Sequence, residues 1–369
     1  MLLPDDLGLN AIHLDTSGDY VTTDRNSDRS THADSGLPVD LWLERSGARA
    51  ALTPSEGFCC TAWRVLRDER WVGLLSEAPS WEPFRGRPAF YGNPILFPYP
   101  YSIHEGAFVY RGKRYTRRPG REGNYIHGLT RDHPWTLEET WADADGAHAR
   151  ASITVGGGDP VSDDLLAEYP FPFRLRVTYT LTDASLLSEY EVTNIGPETI
   201  PFGLGIHPYF PVPLLPGGGL EDLVMRANGA YVRTMRSFEA GFLPVPPELD
   251  IRAGQRLDAH LAAATIDGRP LLSLYSTRPE DDAADGAGGG VCWSVQETRS
   301  GLTVTITSED AFAYLGNYAP PERHILSPVV STCAPGALNA LERGRTEGIV
   351  ELEPGATWRS WTRMTVEWA

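Results

Sequence analysis

A chain of 369 residues with 41% hydrophobic and 22% charged side chains can bury a sizeable core and carries no overall signature of disorder. Its formal charge of −17, from 49 acidic against 32 basic side chains, repels phosphate backbones and anionic bilayers, so nucleic acid and membrane surfaces are not expected partners. Length alone suggests two or three domains, although large all-β sandwiches exceed that rule as single units.

The opening MLLPDDLGLN has no basic segment followed by an apolar one. Nothing in the chain approaches the roughly 18 uninterrupted apolar residues of a membrane span, and a cytoplasmic location is expected. Residues 1–37 are polar and read as an extension or flexible segment, leaving 38–369 as a single domain. Cys59 and Cys60 are adjacent and, with Cys292 and Cys333, lack the CxxC spacing of redox or zinc sites. Reduced, mostly buried thiols are expected.

Residues 171–181 read FPFRLRVTYTL, with Phe173, Leu175, Val177, Tyr179 and Leu181 alternating against Arg174, Arg176, Thr178 and Thr180. That period of two predicts a half-buried strand. The same alternation recurs at 149–155, 301–308 and 358–368. Turn clusters punctuate these runs, at Asn194-Ile195-Gly196-Pro197, at 215–219 and at Pro354-Gly355, in a chain with 30 prolines and 37 glycines. The fold class predicted is all-β, a large sandwich with few short helices, one of them over 257–264. Residues 280–290, EDDAADGAGGG, have the composition of a solvated loop and lack the Lys-Ser or Lys-Thr of a phosphate loop.

Three histidine-bearing clusters stand out. The stretch from Asn124 to Trp135, NYIHGLTRDHPW, sets His127, Arg131 and Trp135 among turn residues. Its composition fits either a solvated surface loop or the wall of a pocket for a polyhydroxylated ligand. The stretch GLGIHPYF places His207 after a glycine-punctuated strand and before a proline, either as a satisfied structural residue or as a proton carrier near neutral pH. The third is LDAH, where Asp258 reads as a helix-start or surface aspartate unless other residues give it company.

That company is a resemblance. GNPILFPYPYSI, NYIHGLTRDHPW, YPFPFRLRVTYTL, VTNIG, GIHPYF and LDAHL follow one another in this order, and the chain resembles the aldose 1-epimerase (galactose mutarotase-like) superfamily over residues 45–369. The resemblance implies an isomerase that interconverts sugar anomers by proton transfer at the ring oxygen and the anomeric hydroxyl, with no metal and no organic cofactor. It assigns ring-oxygen acid chemistry to His207 and contacts with sugar hydroxyls to His127. It assigns hydroxyl binding to Asp258 and a place facing the pocket to Arg131 and Trp135. A small-molecule carbohydrate or glycoside is the partner implied.

Two positions depart from the family pattern. In HILSPVVSTCAPGALN, Ser327 stands where the family has its catalytic glutamate, and in PYPYSI, Ser102 stands where many relatives have an arginine. A serine hydroxyl is a poor base at neutral pH, so the proton inventory is incomplete. Three readings follow: a mutarotase in which His127 or Asp258 serves as base opposite His207, a non-catalytic carbohydrate-binding member, or a proton-transfer enzyme acting on a specialised glycoside or natural-product intermediate. A hydrolase built on His324 and Ser327 lacks a GxSxG elbow. A metal site on His127 and His133 lacks an HExxH-like arrangement.

Overall fold

In the computed structural model the period-two run forms the strand Phe173–Leu181, whose residues 173, 175, 177, 179 and 181 are buried while Arg174, Arg176 and Thr178 are half-buried. The structure describes residues 11–14, 20–22, 39–43, 47–87, 90–116, 126–158, 160–234, 241–266, 269–270, 273–279, 289–320 and 323–369. Most of the loop expected at 280–290 lies outside them, as do Asn124 and Tyr125.

Phe173–Leu181 belongs to a nine-stranded sheet, between Gly146–Val155 and Ser185–Asn194. The long C-terminal strand Thr357–Trp368 runs antiparallel to both Ser185–Asn194 and Leu302–Ser308, which joins the first half of the sheet to the second. The other runs expected from alternation thus lie in this same sheet. An eight-stranded sheet contains Tyr231–Thr234, Ser273–Ser276, Tyr314–Tyr318, Ile325–Ser331, Gly205–Ile206 and Ile95–Leu96 in that order. Helices are minor and short, at Trp81–Gly86, Pro160–Glu168, Leu257–Ala263 and Ala337–Ala340. Among the described residues, no helix is long and apolar enough to cross a membrane.

A third sheet, of six strands, includes Val39–Leu43, Ala48–Thr53 and Cys59–Arg67. Within residues 1–37 the described pieces Ala11–Leu14 and Tyr20–Thr22 are strands of this sheet, and Ala11–Leu14 pairs in parallel with Val39–Leu43. Cys59, Cys60 and Cys333 are buried and Cys292 is exposed, all four as free thiols.

The eight-stranded sheet is apolar on both faces. Ile95, Ile206, Val330, Leu315 and Tyr275 lie side by side across it and pack into the main core, whose largest buried rings include Trp63 and Trp293. Their neighbours one position along, Leu96, Val329 and Leu274, form a separate cluster with Tyr101 and Ala334 on the opposite face. Burying a large apolar side chain is worth about 1.5–3 kcal/mol, so each face is firmly committed to its own cluster. A one-residue slip would exchange every one of these positions.

Candidate functional site

The register of the eight-stranded sheet gathers the polar residues of that second face. Ile206 pairs with Val330 and Phe210 with Leu326, which carries Tyr209 opposite Ser327. Ser327 itself pairs with Tyr318. Side chains alternate across a strand, so His207, Tyr209, Ser327 and Tyr318 converge on one face. The His207 ring stacks on Tyr209 at 4.5 Å between centroids and meets Tyr318 edge-on at 6.3 Å.

Ser327 is fully buried and sets the protonation of His207. Its hydroxyl donates to the carbonyl of Pro208 at 2.6 Å and lies 2.6 Å from Nδ1 of His207. A hydroxyl has one proton, and the carbonyl takes it. Nδ1 of His207 therefore donates to Ser327, and Nε2 carries a lone pair. The Tyr209 hydroxyl lies 3.2 Å from that Nε2 and donates to it; burial holds the phenol above its usual range, so it keeps its proton.

His127 reaches the same place from a loop. Its Nδ1 is 2.7 Å from the carbonyl of Pro100, which can only accept, so here too Nδ1 carries the proton and Nε2 is bare. The backbone pays for this position with two consecutive left-handed residues, His127 at φ 70° and Gly128 at φ 74°. A non-glycine residue there is held against about 1–3 kcal/mol of local strain. Gly128 is needed for close approach, because a Cβ would lie 2.2 Å from the carbonyl oxygen of Phe97. That carbonyl accepts from Leu129 N at 2.7 Å, which pins the turn. Gly205 serves the same end from the strand side, since its missing side chain makes room for Pro100.

The two imidazoles touch edge to face, with centroids 4.9 Å apart and an interplanar angle of 79°. A pyranose does not fit between them, so a ligand meets the two rings as one pair. Burial lowers the His127 pKa to about 4, with Arg131 adding to the effect and the Pro100 bond opposing it. Burial likewise lowers His207 well below its ordinary value, and His127, Arg323 and Arg131 push it further down. Both rings are neutral at pH 7.

The remaining residues singled out in the sequence are placed as follows. Arg131 borders the histidines, with Nη1 donating to the Ile126 carbonyl at 2.8 Å and Nε to Asp132 at 3.1 Å. Trp135 is buried beside Phe58, at 6.0 Å between centroids, and its indole N–H donates to the Thr130 carbonyl at 3.1 Å. Asp258 sits in the first turn of Leu257–Ala263, where Arg256 donates to its carboxylate at 2.6 Å and Ala259 N at 2.8 Å. Those contacts hold its pKa below the usual carboxylate value. Arg131 acts on both histidines, and His127 and Arg323 act on His207 as well. Ser102 lines a small crevice with Tyr101, Cys333 and Gly336.

Sequence reasoning did not single out Tyr209, Tyr318 or Arg323. Tyr209 lay within the quoted HPYF block, two positions from His207, where strand alternation alone puts both on one face. The guanidinium of Arg323 lies 5.7 Å from the centroid of Tyr209 and 4.5 Å from that of Phe90.

Known proteins share the fold described above. Protein LacX (plasmid) of Lactococcus lactis subsp. lactis is 35% identical over 131 residues, covering 35% of this chain and 40% of that protein. Uncharacterized protein YphB of Escherichia coli K12 is 31% identical over 159 residues, 42% of this chain and 45% of its own length. The matched region thus spans less than half of either relative. Among solved structures, a galactose mutarotase-like protein from Clostridium acetobutylicum superposes with a TM-score of 0.71 at 21% identity, covering 88% of this chain and 94% of that one. Galactose 1-epimerase from Lactobacillus acidophilus NCFM superposes with a TM-score of 0.65 at 17% identity, covering 89% and 94%. At these identities the likeness is one of fold, a galactose mutarotase-like β-sandwich. The sequence profile of the aldose 1-epimerase family matches residues 43–365, nearly the whole sandwich together with both histidine segments, and the chain belongs to that family.

Proposed function

We propose that this protein interconverts the anomers of a free sugar by a base-first route. The observation that supports it most directly is the pair of neutral, neighbouring imidazoles, each with Nδ1–H held by an oxygen and Nε2 unprotonated. The anomeric hydroxyl and the ring oxygen are bonded to the same carbon, so one edge of the sugar presents both to this pair. Nε2 of His207 takes the proton of the anomeric hydroxyl, displacing the Tyr209 donor. The C1–O5 bond breaks, leaving a carbonyl at C1 and an alkoxide at the former ring oxygen. The imidazolium, or His127 through it, returns the proton to that alkoxide. Rotation about C1–C2 and the reverse steps close the ring on the other face. Arg131 supplies positive potential at the alkoxide, and no group beyond these side chains enters the proton balance.

This reading replaces an opposed acid and base by two histidines on one side. It makes Ser327 an orienting residue, whose hydroxyl holds the tautomer that exposes Nε2. Non-catalytic carbohydrate binding is the second reading, favoured because, among the described residues, the charges that act on His207 are those of His127, Arg323 and Arg131, with no carboxylate beside them.

Anomer exchange of a panel of free aldoses, followed by NMR or polarimetry across pH, tests the proposal. A general base works only unprotonated, so the rate should stay high as pH falls past 6.5, the ordinary histidine value, and be lost only well below it. No acceleration over buffer for any sugar, with sugars still bound, would turn the assignment to the second reading. A Ser327→Glu variant probes the serine itself. Its carboxylate would face the Nδ1–H of His207 and make Nε2 more basic, so the acid limb should move up in pH and the neutral rate should rise. Overpacking a fully buried site should cost about 1–3 kcal/mol, read as a lower melting temperature. An unmoved acid limb would remove position 327 from control of His207.

A further inference from the structure

One cationic side chain beside the imidazoles has no task in this scheme. Arg323 lies two positions before the strand Ile325–Ser331 that carries Ser327. Its guanidinium is held between Phe90 and Tyr209, and Nη2 donates to the Phe90 carbonyl at 3.1 Å. Because Tyr209 in turn stacks on His207, guanidinium, phenol ring and imidazole form a layered column. Nη1 of Arg323 is buried and has no hydrogen-bond partner among the described residues.

Arginine keeps its charge in any protein environment, so a buried, unpaired N–H of its fork is a donor that lacks an acceptor. No carboxylate among the described residues pairs with this guanidinium, whereas the Nε of Arg131 is taken up by Asp132. Arg323 and Arg131 both add positive potential at His207, within a chain whose formal charge is −17. A neutral sugar hydroxyl would accept a bond from Arg323 but leave its charge uncompensated. A carboxylate or phosphate would do both, in the forked geometry that guanidinium matches best.

We infer that the site takes a sugar bearing an anionic oxygen group remote from its anomeric carbon, and that Arg323 receives this group; the inference rests on the anomer-exchange reading above. The Tyr209 ring keeps the guanidinium one layer away from His207. An anion there sits beyond the reacting carbon and not on it, as a substituent at the far end of a pyranose would.

The test compares glucose, glucuronate and glucose 6-phosphate as substrates of the full chain in anomer-exchange NMR, at low and high salt. KM for at least one charged sugar should lie about tenfold or more below that for glucose, as expected for a charge-assisted contact. The gap should narrow as salt rises. The charged sugar with the lower KM distinguishes carboxylate from phosphate. Arg323→Gln should bring the two KM values toward equality, while Arg323→Lys, which keeps the charge but loses the fork, should retain part of the gap. Equal KM values in the wild type, or a gap untouched in a folded Arg323→Gln protein, would overturn the inference. Should Arg323→Gln fail to fold, the lysine variant and the wild-type salt dependence still decide. Should no sugar show exchange, calorimetry with methyl glucuronide and methyl glucoside, whose anomeric centres are locked, separates the two ideas. Tighter, Arg323-dependent binding of the charged glycoside would keep the anion site and discard the exchange chemistry. No charged preference would discard the anion site.

Discussion

Replacing His207 by glutamine should lower the rate of anomer exchange by about 10²–10⁴, the usual contribution of a positioned proton carrier. The loss should fall on kcat and not on folding, for reasons specific to the site. His207 is almost wholly buried, with Nδ1–H on Ser327 and its ring stacked on Tyr209. The glutamine amide can still donate to Ser327 and lies flat against the phenol, so the melting temperature should change little. What it lacks is a lone pair able to take and return a proton near neutral pH. His127→Gln should behave differently at one point. His127 leans on the Pro100 carbonyl from a strained loop, so its loss should slow turnover and also loosen the 126–131 turn. Full turnover in His207→Gln with normal stability would mean that the proton travels by another route.

The strands were legible because one residue in two must point inward. In Phe173–Leu181 the alternation read from the sequence is the alternation buried in the structure, and Leu302–Ser308 and Thr357–Trp368 follow the same rule. His207 and Ser327 were legible as members of the GIHPYF and HILSPVV stretches. Their 2.6 Å contact was not, because it depends on the register that sets Tyr209 against Ser327 across two strands more than a hundred residues apart. Arg323 was illegible for the same reason. An isolated arginine before His324 carries no periodic signal, and its meaning comes only from the rings of Phe90 and Tyr209 around it. For Asp258 and Trp135 the family resemblance, and not residue type, implied contact with a ligand; their local partners, Arg256 for the one and Phe58 with the Thr130 carbonyl for the other, come only from the fold.

Glu347→Ala should destabilise the protein by about 3–5 kcal/mol, the cost of leaving a buried charge without its partner. The carboxylate of Glu347 takes two bonds from Arg233, at 3.1 and 3.0 Å, and faces Arg345 at 2.7 Å. Arg233 is almost wholly buried, with its guanidinium over Phe242 at 4.7 Å, so it has no route to water once the carboxylate is gone. Arg345 is more exposed and can turn outward. The loss would be a large share of the roughly 5–15 kcal/mol that holds a typical domain. Urea or thermal unfolding should show it directly. Pairing the change with a second one identifies the cause. If the cost is the orphaned charge of Arg233, then Arg233→Met with Glu347→Leu, which removes both charges and keeps the volume apolar, should recover much of it. Glu347 has φ 43°, but alanine and leucine add the same Cβ there as glutamate, so backbone strain is common to all three. A double variant as unstable as Glu347→Ala would assign the loss to packing around Phe242 and not to the ion pair.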